Sequence, residues 1–184
     1  MRKIFIDAGS YKGDTVSAFI NSKYYEPGFE IHCFEPDVML YVGLMENGFI
    51  RNLYNTAITT YDGEVLFYPD RNENREGGSI CKSKATGYLD KKHPERVPCI
   101  DFSKWIADTF DIEDKIIVRM NIEGAEYPVL TKMLVDGTID YIDFLSVSFH
   151  QSKVNYPFIM HKAIVEELRK YLKIRITQKD KEPF

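Results

Sequence analysis

The sequence predicts an α/β fold: a Rossmann-like, doubly wound, mostly parallel sheet with helices on both faces, in one domain spanning residues 1–184. Three observations predict it. Short β-rich runs that end in small or acidic residues alternate with amphipathic stretches at helical spacing, the pattern of successive βαβ units. The length of 184 residues suits a single domain and allows a sizeable core. Carboxylates stand at the ends of the first two strands, the edge at which such a sheet receives ligands.

The elements follow in order. Lys3 to Asp7 reads as the first strand, and Gly13 to Ser22 as a helix with Val16, Phe19 and Ile20 on one face. Glu30 to Glu35 is the second strand; Asp37 then caps a helix whose Val38, Tyr41, Leu44 and Met45 recur at helical spacing. Phe49 to Thr59 carries a third strand, and Asp62-Gly63 between Thr59–Tyr61 and Val65–Tyr68 signals a hairpin. Pro69 to Pro98 is rich in charge and Gly, with no sustained period, and is expected to be an active-site loop of residues 69–98 or a solvated excursion. Asp101 caps a short helix with Phe102, Trp105, Ile106 and Phe110; Lys115 to Asn121 is a strongly apolar strand. Glu126 to Val135 is the next helix, with Pro128 in its first turn and Gly137 as its stop. Tyr141 to His150 is a further strand, Pro157 to Leu172 a helix with His161, Ile164, Val165, Leu168 and Leu172 on one face, and Lys173 to Thr177 a final strand.

Charge and composition narrow the functions. Lys and Arg number 24 against 28 Asp and Glu, a net charge of −4, which disfavours nucleic acid and anionic lipid as partners of the whole chain. Three cysteines, with neither a C-x-x-C pair nor His at ligand spacing, point away from a disulfide framework and from a metal site. Asp7 interrupts the N-terminal apolar run too early for a signal peptide, and no uncharged run is long enough to span a membrane, so a cytoplasmic location is expected.

The chemistry begins at Asp7-Ala8-Gly9-Ser10-Tyr11-Lys12-Gly13, a strand-to-helix turn whose glycines let backbone approach a ligand. Its D-x-G-x-x-x-G spacing differs from the G-x-G-x-x-G that makes room for a pyrophosphate. A nucleoside without pyrophosphate and with cationic groups, such as S-adenosylmethionine, suits this acidic turn better than a dinucleotide. Glu35 closes the second strand in Cys-Phe-Glu-Pro, where an α/β nucleotide site places an acid to receive ribose hydroxyls. At the far side of the same sheet edge fall Asn121 and Glu123, after the fourth strand, and His150, after the fifth. A hydroxyl nucleophile would need a base, for which His150 is the candidate, with Glu123 as a substrate or orienting contact. Glu126 ranks lower, because it serves equally well as a favourable charge in the first turn of its helix. His32 and His161 read as structural.

The ordered blocks D-A-G-S-Y-K-G-D-T, C-F-E-P, N-T-A-I-T-T-Y-D-G, G-G-S-I, V-P-C-I-D-F, R-M-N-I-E-G-A-E-Y-P-V-L and S-F-H resemble the FkbM-type methyltransferases over residues 3 to about 150. The resemblance implies the class I S-adenosylmethionine methyltransferase fold and transfer of a methyl group to a hydroxyl of a sugar or other small metabolite. It also implies that Asp7, Gly9, Ser10 and Gly13 line the methionine part of the cofactor, Glu35 its ribose, and Asn55 with Ala57 the region near the adenine. Two positions depart from the family pattern: Asn121 stands where an aspartate is usual, and Ser148 where a Glu-x-His pair would begin. The short C-terminus also leaves little chain for the usual final antiparallel hairpin. A non-catalytic scaffold on the same fold is the alternative these departures suggest. A nicotinamide-dependent oxidoreductase shares the ribose acid but lacks the glycine pattern. Finally, residues 69–98 form a net positive stretch in an acidic chain, which suggests a loop closing on an anionic or sugar-phosphate acceptor, with Gly77-Gly78-Ser79 as hinge or contact.

Overall fold

The computed structural model describes residues 1–171 and the backbone of residues 173–176. Its main sheet has six strands, β1 (Lys3–Ala8), β2 (Phe29–Phe34), β3 (Asn52–Tyr54), β7 (Lys115–Met120), β8 (Phe144–Val147) and β9 (Lys173–Ile176), in the order β3-β2-β1-β7-β8-β9. Every neighbouring pair is parallel. From β1 the chain winds one way through β2 and β3 and later the other way through β7, β8 and β9, so the order reverses between β1 and β7. A crevice opens at the carboxyl ends of the strands at such a reversal.

Alternation along β1 decides which helix covers which face. Phe5 points to one side, where its ring stacks on Phe19 of α1 (Asp14–Ile20) at 4.0 Å, together with Val16, Ile31 and Ile117. Ile4 and Ile6 point to the other side, into a larger core built with α3 (Phe102–Thr109), α4 (Glu126–Asp136) and α5 (Phe158–Tyr171). Side chains such as Phe102, Ile106, Leu130 and Leu168 are almost wholly buried there. Each stabilises the fold by roughly 1.5–3 kcal/mol relative to exposure. Two expected caps form: Asp37 accepts from Met39 N at 3.0 Å to start α2 (Val38–Leu44), and Asp101 accepts from Lys104 N at 3.2 Å to start α3. Gly137, at φ 76°, stops α4 as expected.

Four expectations are corrected. The stretch Phe49–Thr59 carries not one strand but two: the expected third strand, β3, ends at Tyr54, and β4 (Ala57–Thr59) belongs to a second sheet. The Asp62-Gly63 turn does not close a hairpin, because β6 (Glu95–Asp101) inserts between β4 and β5 (Gly63–Phe67), parallel to the first and antiparallel to the second. The loop expected over 69–98 therefore ends in strand β6. The strand expected over Tyr141–His150 is shortened to β8, since a 3-10 turn occupies Thr138–Tyr141. Leu172 as a packed residue, Thr177 as a strand residue and the completeness of a final hairpin lie outside the described residues. Within those residues β9 adds to the sheet in parallel.

His32 and His161 have structural settings. His32 is buried among Tyr54, Trp105 and Phe110, and burial lowers its pKa to about 4. His161 Nδ1 lies 3.0 Å from the Tyr127 hydroxyl. Among the described residues no helix is long and apolar enough to cross a membrane.

Candidate active site

The turn after β1 folds back onto the end of β2. The amides of Gly9 and Ser10 both donate to Phe34 O at 3.0 Å. Gly9 sits at φ 86°, and a Cβ there would lie 2.2 Å from the Asn121 carbonyl oxygen, so the turn can pass under β7 only as glycine. The Glu35 carboxylate is fixed by this turn and the next: Oε2 accepts from Tyr11 N and Oε1 from Asp37 N, each at 2.9 Å. Glu35 is 5% exposed, and burial raises its pKa to about 8 despite these two amides. Asn55 holds the same corner from outside, donating from Nδ2 to Glu35 O at 2.9 Å and Pro36 O at 3.1 Å.

Asp7 and Arg119 face one another across the β1–β7 ladder. Arg119 Nη1 donates to Gly9 O at 2.6 Å and to Asp7 Oδ1 at 3.2 Å. Complete burial nevertheless raises the Asp7 pKa to about 6, against the pull of Arg119. Asp7 Oδ2 and Asn121 Oδ1 are buried without a hydrogen-bond partner among the described residues. Asn121 lines the cavity of the site, and an orphaned acceptor there suits a donor-bearing ligand.

At the other end of the site, Glu126 is wholly buried and organises the turn between β7 and α4. Its Oε1 accepts from Ile122 N and its Oε2 from Gly124 N, each at 2.9 Å. His150 then lies between two carboxylates, with Nδ1 2.8 Å from Glu126 Oε1 and Nε2 3.1 Å from Glu123 Oε1. Burial alone would lower its pKa, but hydrogen bonds and charge from Glu123 and Glu126 outweigh burial and raise it. Glu123 also meets Lys84 Nζ at 2.7 Å and Lys153 Nζ at 3.0 Å through Oε2. Burial would raise its pKa; His150 and Lys84 reverse that and hold it well below the usual carboxylate range.

Residues 69–98 are folded onto this edge. Bridges pair Tyr68 with Ser79 and Asp70 with Leu89, Ser79 Oγ donates to Glu123 O at 2.8 Å, and the almost fully buried Lys84 donates to Gly77 O as well as pairing with Glu123. Arg75 closes the other side, its Nη2 2.7 Å from Asp37 Oδ2. The Gly77-Gly78-Ser79 run is a contact: a Cβ on Gly78 would strike the Phe67 ring at 2.4 Å. Beneath this cover is a cavity of about 260 Å³ at the reversal of strand order.

The cavity brings together Gly9, Ser10, Glu35, Ala57, Asn121 and Glu123 of the residues singled out in the sequence. The other four lie behind its wall. Asp7 is beneath the turn, Gly13 is packed toward Leu44 and Asn47, Asn55 braces the Glu35 corner, and His150 backs Glu123. Sequence reasoning missed Arg75, Lys84, Arg119 and Lys153, and ranked Glu126 below what it does. Arg119 was recoverable, since it stands two residues before Asn121 on a strand beside Asp7. Nothing in the local sequence marks Lys84 for burial.

A family model described as a methyltransferase FkbM domain matches residues 7–175 of the chain. No curated protein and no solved structure matches it.

Proposed function

The chain belongs to the FkbM methyltransferase family, and from that premise we propose that it is an S-adenosylmethionine-dependent O-methyltransferase acting on a hydroxyl of a sugar or other small metabolite. One observation carries the reading: a single cavity has the buried Glu35 carboxylate on one wall, Glu123 on another, and the orphaned acceptor of Asn121 in its lining. The residues fit the cofactor. Glu35 would take the ribose hydroxyls on lone pairs that the Tyr11 and Asp37 amides leave free. Ala57 would border the adenine, while Gly9, Ser10 and Asn121 would surround the methionine part, with Asp7 supplying negative charge from beneath.

When bound, S-adenosylmethionine supplies a methyl group on a sulfonium, open to in-line attack by an oxygen. The protein's part is alignment, and holding reactants in line contributes several kcal/mol. Glu123 would orient the acceptor hydroxyl and take its proton at a carboxylate oxygen. That proton becomes strongly acidic as the oxygen gains a methyl group, so a carboxylate of weak proton affinity suffices. His150, whose two nitrogens face Glu126 and Glu123, would act through Glu123 as a positioning residue in this reading.

The test is turnover. The full chain, incubated with S-adenosylmethionine and a panel of sugars and small alcohols, should form S-adenosylhomocysteine together with an O-methylated product seen by mass spectrometry and hydrolytic stability. Methyl groups found on nitrogen alone, or tight cofactor binding with no product from any hydroxyl, would count against the reading and favour the scaffold alternative.

A further inference from the structure

The positive charge of residues 69–98 has a use that bears on the acceptor. Arg75 is committed to Asp37, with Nε at 2.8 Å and Nη2 at 2.7 Å from Oδ2. Lys84 and Lys153 converge on Glu123, and His150 lies between Glu123 and Glu126. Arg119 is held by Asp7 and Gly9 O. Asp70, buried on the same side of Gly77 as Lys84, adds another negative charge beside that ammonium. The four Arg and Lys cations in and behind the cavity wall, Arg75, Lys84, Lys153 and Arg119, are thus each paired with a carboxylate: Asp37, Glu123 or Asp7.

What remains is acidic. Asp14 and Glu76 line the cavity with no ion-pair partner among the described residues. Lys12, beside Tyr11 at the rim, turns its ammonium over the Tyr11 ring and onto Asn74 Oδ1. An anionic acceptor would have to draw a cation away from a carboxylate that is buried, as Asp7 and Asp37 are, or only 12% exposed, as Glu123 is, leaving it unpaired in a poorly solvated place. The basic stretch therefore fastens the cover to an acidic cofactor edge.

Resting on the methyltransferase reading, we propose that the acceptor is uncharged or cationic, and that the site turns away phosphorylated and carboxylated hydroxyl compounds. The geometry of the paired cations carries this, and it replaces the anionic acceptor that the charge of the loop alone suggested.

Inorganic phosphate is the probe, titrated calorimetrically into the full chain saturated with S-adenosylhomocysteine. Glu123→Gln releases Lys84 and Lys153, so this variant should bind phosphate at least about tenfold more tightly than the wild type. A wild type that binds phosphate as tightly as Glu123→Gln overturns the proposal. Should Glu123→Gln fail to fold, Asp37→Asn, which releases Arg75, gives the same comparison with the same two outcomes. Saturation with S-adenosylhomocysteine is itself a separate readout: if it cannot be reached, the methyltransferase reading fails before the acceptor question is posed.

Discussion

Lys84 reaches Glu123 from a different part of the chain, with its ammonium 2.7 Å from Oε2 and only 1% of its side chain exposed. The pair joins the covering segment to the turn between β7 and α4. Lys84→Met should destabilise the protein by about 3 kcal/mol, because one member of a buried pair is removed while the other stays. Chemical denaturation measures this. The double variant Lys84→Met, Glu123→Gln should lose less than the two single variants together. Additive losses would mean that the two residues do not act as a pair. The single variant should also be cut faster by trypsin at Lys82 and Lys91, within the segment it fastens.

Gly9→Ala should be severe. The residue sits at φ 86°, and its new methyl group would meet the Asn121 carbonyl at 2.2 Å. The backbone conformation alone costs of order 1–3 kcal/mol in a non-glycine residue, and relief of the clash must push β1 and β7 apart. We expect at least about 2 kcal/mol of lost stability, together with loss of S-adenosylhomocysteine binding, checked by thermal melts with and without the ligand. Wild-type stability in Gly9→Ala would show that the turn has room to relax.

The pH dependence follows from Glu35. Its pKa is raised from 4.5 to about 8 by burial, so the folded chain holds a proton that the unfolded chain has released over that interval. Stability should fall as pH rises from about 4.5 to about 8, and Asp7, raised from 3.8 to about 6, adds to the fall at the acid end. Glu35→Gln should flatten the melting temperature across the neutral range. Ribose hydroxyls bind best to the ionised carboxylate, so the affinity for S-adenosylhomocysteine should instead rise with pH through the same interval. A melting profile unchanged by Glu35→Gln would remove this group as its cause.

Asn121→Asp restores the acid usual in the family at a position whose Oδ1 is buried and unpartnered. A carboxylate there should favour the sulfonium of S-adenosylmethionine over the uncharged sulfur of S-adenosylhomocysteine, improving the ratio of the two affinities by about tenfold. Competition calorimetry gives the ratio. An unchanged ratio would place Asn121 away from the reacting sulfur.

Much of this was readable locally. Strands β1, β2 and β7 are buried on both faces and show as short apolar runs, while Asp37, Asp101 and Gly137 mark helix ends by chemistry acting within a few residues. What was misread depends on distant partners. β4 finds its neighbour in β6, with Ala57 opposite Cys99, so no local pattern could divide Phe49–Thr59 or cancel the apparent hairpin. The 69–98 segment is polar and aperiodic, yet folded, because its order comes from Asp37, Asp70 and Glu123 receiving its cations and amides. Site acids at strand ends were legible for the same reason as the strands themselves. The basic partners that hold them were not, nor was the placing of His150 between Glu123 and Glu126.

Titration of S-adenosylhomocysteine into the wild type and Glu35→Ala by isothermal calorimetry bears most directly on the function proposed. At pH 9, above the raised pKa of Glu35 of about 8, one equivalent should bind the wild type, and Glu35→Ala, still folded by circular dichroism, should bind about 100-fold more weakly, the loss for a buried charged hydrogen-bond acceptor. Equal affinity in the two proteins, or no binding by the wild type, would contradict it.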